Sequence, residues 1–150
     1  MSLIEKINIE LKEAMLIKDK SRLESLRAIK TSLTLHQTST SSDNSITKED
    51  EIKILQKLVK QRRESAKIYI DQNRPDLVQI EEAQADFIST FLPEQLTNQE
   101  IEDIVSKVIY QSKSTGLKDM GKVIGIVVKK IEGRADGKTV SNIVKQKLSD

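Results

Sequence analysis

The feature that most constrains this chain is how few places its backbone has to turn. All five glycines lie at or beyond Gly116, and only Pro75 and Pro93 interrupt the residues before them. Such a stretch offers few of the tight reversals that join strands, and its apolar residues recur at helical rather than alternating spacing. The expected fold class is all-α.

Three helix starts are legible. Ser2 with Glu5, Thr47 with Asp50 and Thr97 with Glu100 each have capping-box spacing, in which hydroxyl and carboxylate satisfy orphan N–H groups at a helix start. Ile4, Ile7, Leu11, Ala14 and Met15 form the first stripe. A second helix over about 20–36 carries Leu23, Leu26, Ile29 and Leu33, and the short break near Lys18-Asp19 predicts an antiparallel hairpin. The longest helix starts at Thr47 and runs to about Gln72, with Ile52, Leu55, Val59, Ala66 and Ile70 on one face and Lys53, Lys57, Lys60 and Lys67 on another. Asn73-Arg74-Pro75 stops it, because proline disfavours helical geometry in the residue before it and suits the next helix's first turn.

A fourth helix over about 76–91 presents Leu77, Ile80, Gln84, Phe87, Ile88 and Phe91. The helix opened by Thr97 carries Ile101, Ile104, Val105, Val108 and Ile109, and two more follow over about 118–131 and 136–148. The expected organisation is two blocks. An N-terminal block over 1–93 holds a helical hairpin plus two longer helices, with a flexible polar loop at 37–46. A C-terminal block over 94–150 is a three-helix bundle.

Composition narrows the chemistry. With no cysteine, disulfides, zinc-thiolate sites and thiol nucleophiles are excluded together. The start of the chain is charged from Glu5 and has no apolar core of a signal peptide. The run Val123-Ile124-Gly125-Ile126-Val127-Val128 falls far short of the about 20 residues that span a bilayer. A cytoplasmic protein, or one of an organelle interior after import, is expected, with no membrane partner.

The net charge of +2 conceals strong segregation. Residues 1–74 hold 15 Lys/Arg against 11 Asp/Glu, residues 75–106 hold 8 acids and no base, and residues 117–147 hold 8 bases against 3 acids. Two basic segments flank an acidic one.

Three stretches carry a family likeness: Leu58-Val59-Lys60-Gln61-Arg62-Arg63-Glu64-Ser65-Ala66, then Phe91-Leu92-Pro93-Glu94-Gln95-Leu96, then Asp119-Met120-Gly121-Lys122-Val123-Ile124-Gly125 continued by Gly133-Arg134-Ala135-Asp136-Gly137-Lys138. In this order and spacing the chain resembles the GatB/YqeY family, specifically its free-standing YqeY proteins. Its last block is similar to the tail domain of the GatB subunit of glutamine-dependent tRNA amidotransferases. The resemblance implies an accessory role beside carbon–nitrogen ligation with glutamine as amide donor, with tRNA as partner and amidotransferase or synthetase subunits as further partners. In the amidotransferase, ATP use and ammonia production lie outside the tail. Free-standing members often have Pro where this chain has Lys129, while the amidotransferase tail has Lys.

No catalytic constellation accompanies that likeness. His36 is the single histidine and borders the polar loop, and with no second ligand beside it no metal is expected. There is no phosphate-binding glycine loop, and no cofactor is expected. The candidates are instead RNA contacts. Arg134 and Lys138 bracket the start of the last helix, whose first N–H groups favour anions, and Lys129 and Lys130 lie one turn before Gly133. Lys122 lies in the glycine-bearing helix, and Lys60 and Arg63 come from the long one. A solvated lysine face is the alternative for Lys129, Lys130, Arg134 and Lys138. Arg62 falls on the apolar stripe, and its expected partner is Glu81, Glu82 or Asp86. Gly121 and Gly125 share a helix face and serve either a close helix neighbour or RNA backbone. Packing carries more weight, since each costs about 1 kcal/mol relative to Ala. Gly133 reads as a left-handed helix cap. With so few aromatics, any RNA is expected to be read by shape and phosphate, as in a folded tRNA, and DNA is not expected. The competing class is a protein–protein adaptor that docks on an amidotransferase or synthetase without touching RNA.

Overall fold

The computed structural model describes residues 1–39 and 45–149. Among them are seven α-helices and a short 3-10 turn, with no strand: α1 (Leu3–Ile17), α2 (Lys20–Ser39), α3 (Lys48–Asp71), α4 (Pro75–Ser89), α5 (Asn98–Ser112), the 3-10 turn at Leu117–Asp119, α6 (Met120–Ile131) and α7 (Gly137–Ser149). The fold is all-α. It divides into two compact units, Met1–Leu92 and Pro93–Asp150.

In the first unit α1 and α2 pack as a hairpin, and α3 and α4 make the most extensive contact. Ile7, Leu11, Ala14, Leu26, Ile29, Leu33, Leu55, Leu58 and Ile88 form its core. Ser2 and Thr47 close full capping boxes with Glu5 and Asp50. Lys18 ends α1 in the left-handed region, so the chain reverses there without a glycine. Pro75 occupies the first turn of α4, where its missing N–H costs nothing.

The helix α2 runs three residues further than expected. Gln37, Thr38 and Ser39, assigned above to the loop, are helical. The Thr38 and Ser39 hydroxyls donate to the carbonyls of Leu35 and His36, one turn back along the last turn of the helix. The expected flexibility at 40–44 lies outside the described residues. Ile70 and Met15, placed above on apolar stripes, are exposed. Each lies in the last turn of its helix.

The second unit is a three-helix bundle in which α5, α6 and α7 pack pairwise. Its core is Ile101, Val105, Val108, Val123, Val127, Ile131, Ala135, Val140, Ile143, Val144 and Leu148. Thr97 and Glu100 form its capping box. Donation from the Thr97 N–H first, and its hydroxyl second, holds the Glu100 carboxyl below the usual carboxylate range.

A polar relay links three helices of the first unit, from half-buried Arg62 through buried Gln84 to exposed Glu24. Gln84 on α4 is only 6% exposed. Its Oε1 accepts from Arg62 Nε on α3 at 3.3 Å, and its Nε2 donates to Glu24 Oε2 on α2 at 2.9 Å. Gln84→Leu should lower the urea midpoint of unfolding, by about 1 kcal/mol in stability, because half-buried Arg62 loses its amide acceptor while exposed Glu24 can turn to water. An unchanged midpoint would show that the relay carries no stability. The bundle core also predicts that residues 93–150, expressed alone, melt cooperatively by circular dichroism; a broad, non-cooperative melt would show that the second unit needs the first.

Candidate nucleic-acid interface

The rotation of α6 is set by its buried stripe. Val123, Val127 and Ile131 face the bundle core at four-residue intervals. At 100° per residue, Gly121, Gly125, Val128, Lys129 and Lys122 then fall on the opposite side, within about a third of the circumference. All five are exposed.

The two glycines meet nothing. A Cβ placed on Gly121 or Gly125 would have no heavy atom of another part of the chain within 4 Å. Packing against a neighbouring helix of this chain, the reading given more weight above, is therefore overturned. Both glycines lower helix propensity and bare the α6 backbone to whatever approaches. Val128, 48% exposed, continues their line at Gly125 plus three. That spacing was visible in the sequence, but its burial was not.

Lys122, Lys129, Lys130 and Lys138 are exposed, and none makes an ion pair among the described residues. Arg134 is different. Its Nε donates to the Ile131 carbonyl at 2.9 Å and its Nη2 to the Lys130 carbonyl at 3.3 Å, so it caps the end of α6. It is half-buried and holds the loop more than it offers a free charge. The left-handed cap falls on Glu132, one residue before the expected Gly133, and Gly133 follows with φ 80°.

Two of the sequence stretches singled out above meet here. The Leu96 N–H donates to the Arg134 carbonyl at 2.8 Å, and Gln95 Nε2 donates to the Gly133 carbonyl at 3.1 Å. The Leu-Pro-Glu-Gln-Leu connector thereby fastens the loop that leads into α7.

Lys60 and Arg63 lie on α3 in the first unit. Lys60 is exposed. Arg63 bridges two carboxylates of α4, Glu82 and Asp86, the latter at 2.8 Å. The acidic partner expected for Arg62 thus belongs to Arg63, one residue on, while Arg62 takes the amide of Gln84. Helix geometry explains the exchange: Glu82 and Asp86 share a face of α4, and Gln84 points away from it.

His36 Nε2 lies 3.4 Å from Asp50 Oδ2, and among the described residues no cluster of His, Asp and Glu could hold a metal. No helix among them is long and apolar enough to cross a membrane.

The family model of Yqey-like proteins matches residues 4–148. The chain is 28% identical over 131 residues to the altered inheritance of mitochondria protein 41, mitochondrial, of Clavispora lusitaniae, covering 87% of this chain and 74% of that protein. It is 37% identical over 59 residues to a subunit of the glutamyl-tRNA(Gln) amidotransferase of Thermococcus gammatolerans, covering 37% of this chain. That match spans only 9% of the larger protein's length. With a family match running nearly end to end over seven helices, the chain belongs to the YqeY-like family.

Proposed function

We propose that this protein is an accessory tRNA-binding protein working beside tRNA-dependent amidation, and that the outward face of α6 with the start of α7 is its RNA contact. The observation that carries the reading is the pair of open glycines beside lysines that make no ion pair among the described residues. Gly121 and Gly125 bare the helix backbone, while Lys122 and Lys129 stand on the same face and Lys130 and Lys138 lie close by in sequence. A phosphate backbone can approach such a surface closely and meet several cations at once. Lysines on flexible stems favour contacts with phosphate over base-edge readout, which suits a folded RNA recognised by shape. The partial similarity to an amidotransferase subunit supplies the setting. The aqueous interior of a cell or organelle suits that role, and one relative is named as mitochondrial.

A second reading rests on Val128. Its exposed side chain continues the glycine line, as a helix of a partner protein would require. In that case the same face docks a protein such as an amidotransferase or synthetase subunit, and RNA is not involved.

The two readings part on the lysines. If about four phosphates are contacted, the logarithm of affinity should fall with the logarithm of salt at a slope near −3, so doubling salt weakens binding about tenfold. Changing Lys122, Lys129, Lys130 and Lys138 together to Glu should abolish tRNA binding with helicity intact, since all four are exposed. Unchanged tRNA affinity in that variant would favour the protein-docking reading.

The glycines give an independent check. Gly125→Ala should raise stability by about 1 kcal/mol, because the added methyl meets open space inside a helix. The same variant should weaken tRNA binding if the bare backbone is used. A gain in stability with no change in affinity would leave the lysines alone as the contact.

A further inference from the structure

The second unit has one aromatic side chain, Tyr110, and the fold does not bury it. Tyr110 stands on α5 with 84% of its surface exposed, and its hydroxyl makes no hydrogen bond among the described residues. Three residues to either side are Lys107, on the same helical face, and Lys113, the cap residue that ends α5. Both are exposed, and neither makes an ion pair among the described residues. The acids of α5 are gathered at its other end, at Glu100, Glu102 and Asp103. Glu100 is held in the capping box, and Asp103 accepts from Gln99. The two lysines are separated by roughly 9 Å along the helix, with the ring between them.

We propose that Tyr110 is a stacking platform for an unpaired RNA base, with Lys107 and Lys113 meeting the phosphates on either side of it. This rests on the RNA-binding reading above and adds a second, chemically different contact to it. A nucleobase presents a flat π-face that a phenol ring can cover, and each base in a strand is flanked by phosphates. A ring between two cations is complementary to both features at once. A neutral or acidic peptide would satisfy the ring or the lysines, but it has no repeating alternation of flat face and anion. Folded RNAs expose such bases in loops, so shape recognition by α6 and base capture by α5 are compatible in one ligand.

The test uses the full-length chain and three probes: unfractionated tRNA, a hairpin RNA with a single-stranded loop, and a fully paired duplex. Tyr110→Ala should weaken binding of the tRNA and the hairpin by at least about fivefold, the low end of what loss of base stacking costs. It should leave duplex binding unchanged, a selectivity that general disruption of the fold would not produce. Tyr110→Phe should retain the affinity. Tyr110→Trp places a single indole in a chain that has no tryptophan, and its fluorescence should be quenched by the hairpin but not by the duplex. Lys107→Ala with Lys113→Ala should weaken all three ligands and flatten the salt dependence. If the unmodified protein binds tRNA and Tyr110→Ala binds it equally well, the platform is overturned while the α6 reading stands. If the unmodified protein binds none of the three RNAs, both fall together.

Discussion

Burial of Val123, Val127 and Ile131 is the constraint on which the functional surface depends. Three branched side chains at four-residue spacing leave α6 one rotation about its axis, and every other side chain on the helix takes its direction from that choice. The glycines and lysines face outward because the core residues face inward. A slip of one residue in one direction would carry Lys122 and Lys130 into the core, and in the other would turn Gly121 and Gly125 toward it. The surface is thus held by apolar packing that does not itself touch any ligand, and neither glycine owes its place to the bundle's own packing.

The first unit solves a different problem with the same helical geometry. Its basic α3 lies along its acidic α4, and the pairing is carried by arginines. Arg63 bridges Glu82 and Asp86, Arg62 reaches Gln84, and Arg74 holds Asp76. Two aromatic rings add to this. Phe87 and Phe91 meet edge to face at 5.5 Å, with Arg22 over Phe87 at 5.3 Å and Lys6 over Phe91 at 5.2 Å. Planar guanidinium groups suit such fixed contacts, whereas lysine ammonium groups remain better hydrated and mobile. Arg62, Arg63 and Arg74 are held within the first unit, whereas Lys122, Lys129, Lys130 and Lys138 of the second make no ion pair among the described residues.

Much of the fold was legible because the signals were local. The three capping boxes and Pro75 act within a few residues, and each marks a helix start where its hydroxyl, carboxylate or missing N–H predicts one. What escaped the sequence depends on a partner helix. Arg62 and Arg63 are adjacent, and which of them meets a carboxylate is decided by the roll of α4, which periodicity does not supply. Gly121 and Gly125 have the spacing of a helix-packing pair, and only the position of α5 and α7 shows that no helix is there. The sites follow the same rule. Lys122, Lys129, Lys130 and Lys138 could be proposed from charge clustering, while Arg134 reads as a cap only through its two carbonyl partners.

Tyr110 shows why a low aromatic count misleads when it is taken as an average. Four aromatics in 150 residues argue against a surface built for stacking along a strand. Position matters more than frequency here. Phe87 and Phe91 are consumed by their mutual contact and by the cations over them. In the second unit the core is filled entirely by Ile, Val, Leu and Ala, so its one ring contributes nothing to that core. An exposed tyrosine in the last turns of a helix adds no helix propensity over the Lys, Glu or Gln found at comparable exposed positions. Its cost is small, and isolated exposed apolar groups are common enough to carry no meaning alone. The lysines at minus three and plus three turn an isolated ring into a recognisable arrangement. The spacing could have been read from the sequence, but the exposure that gives it meaning had to come from the fold.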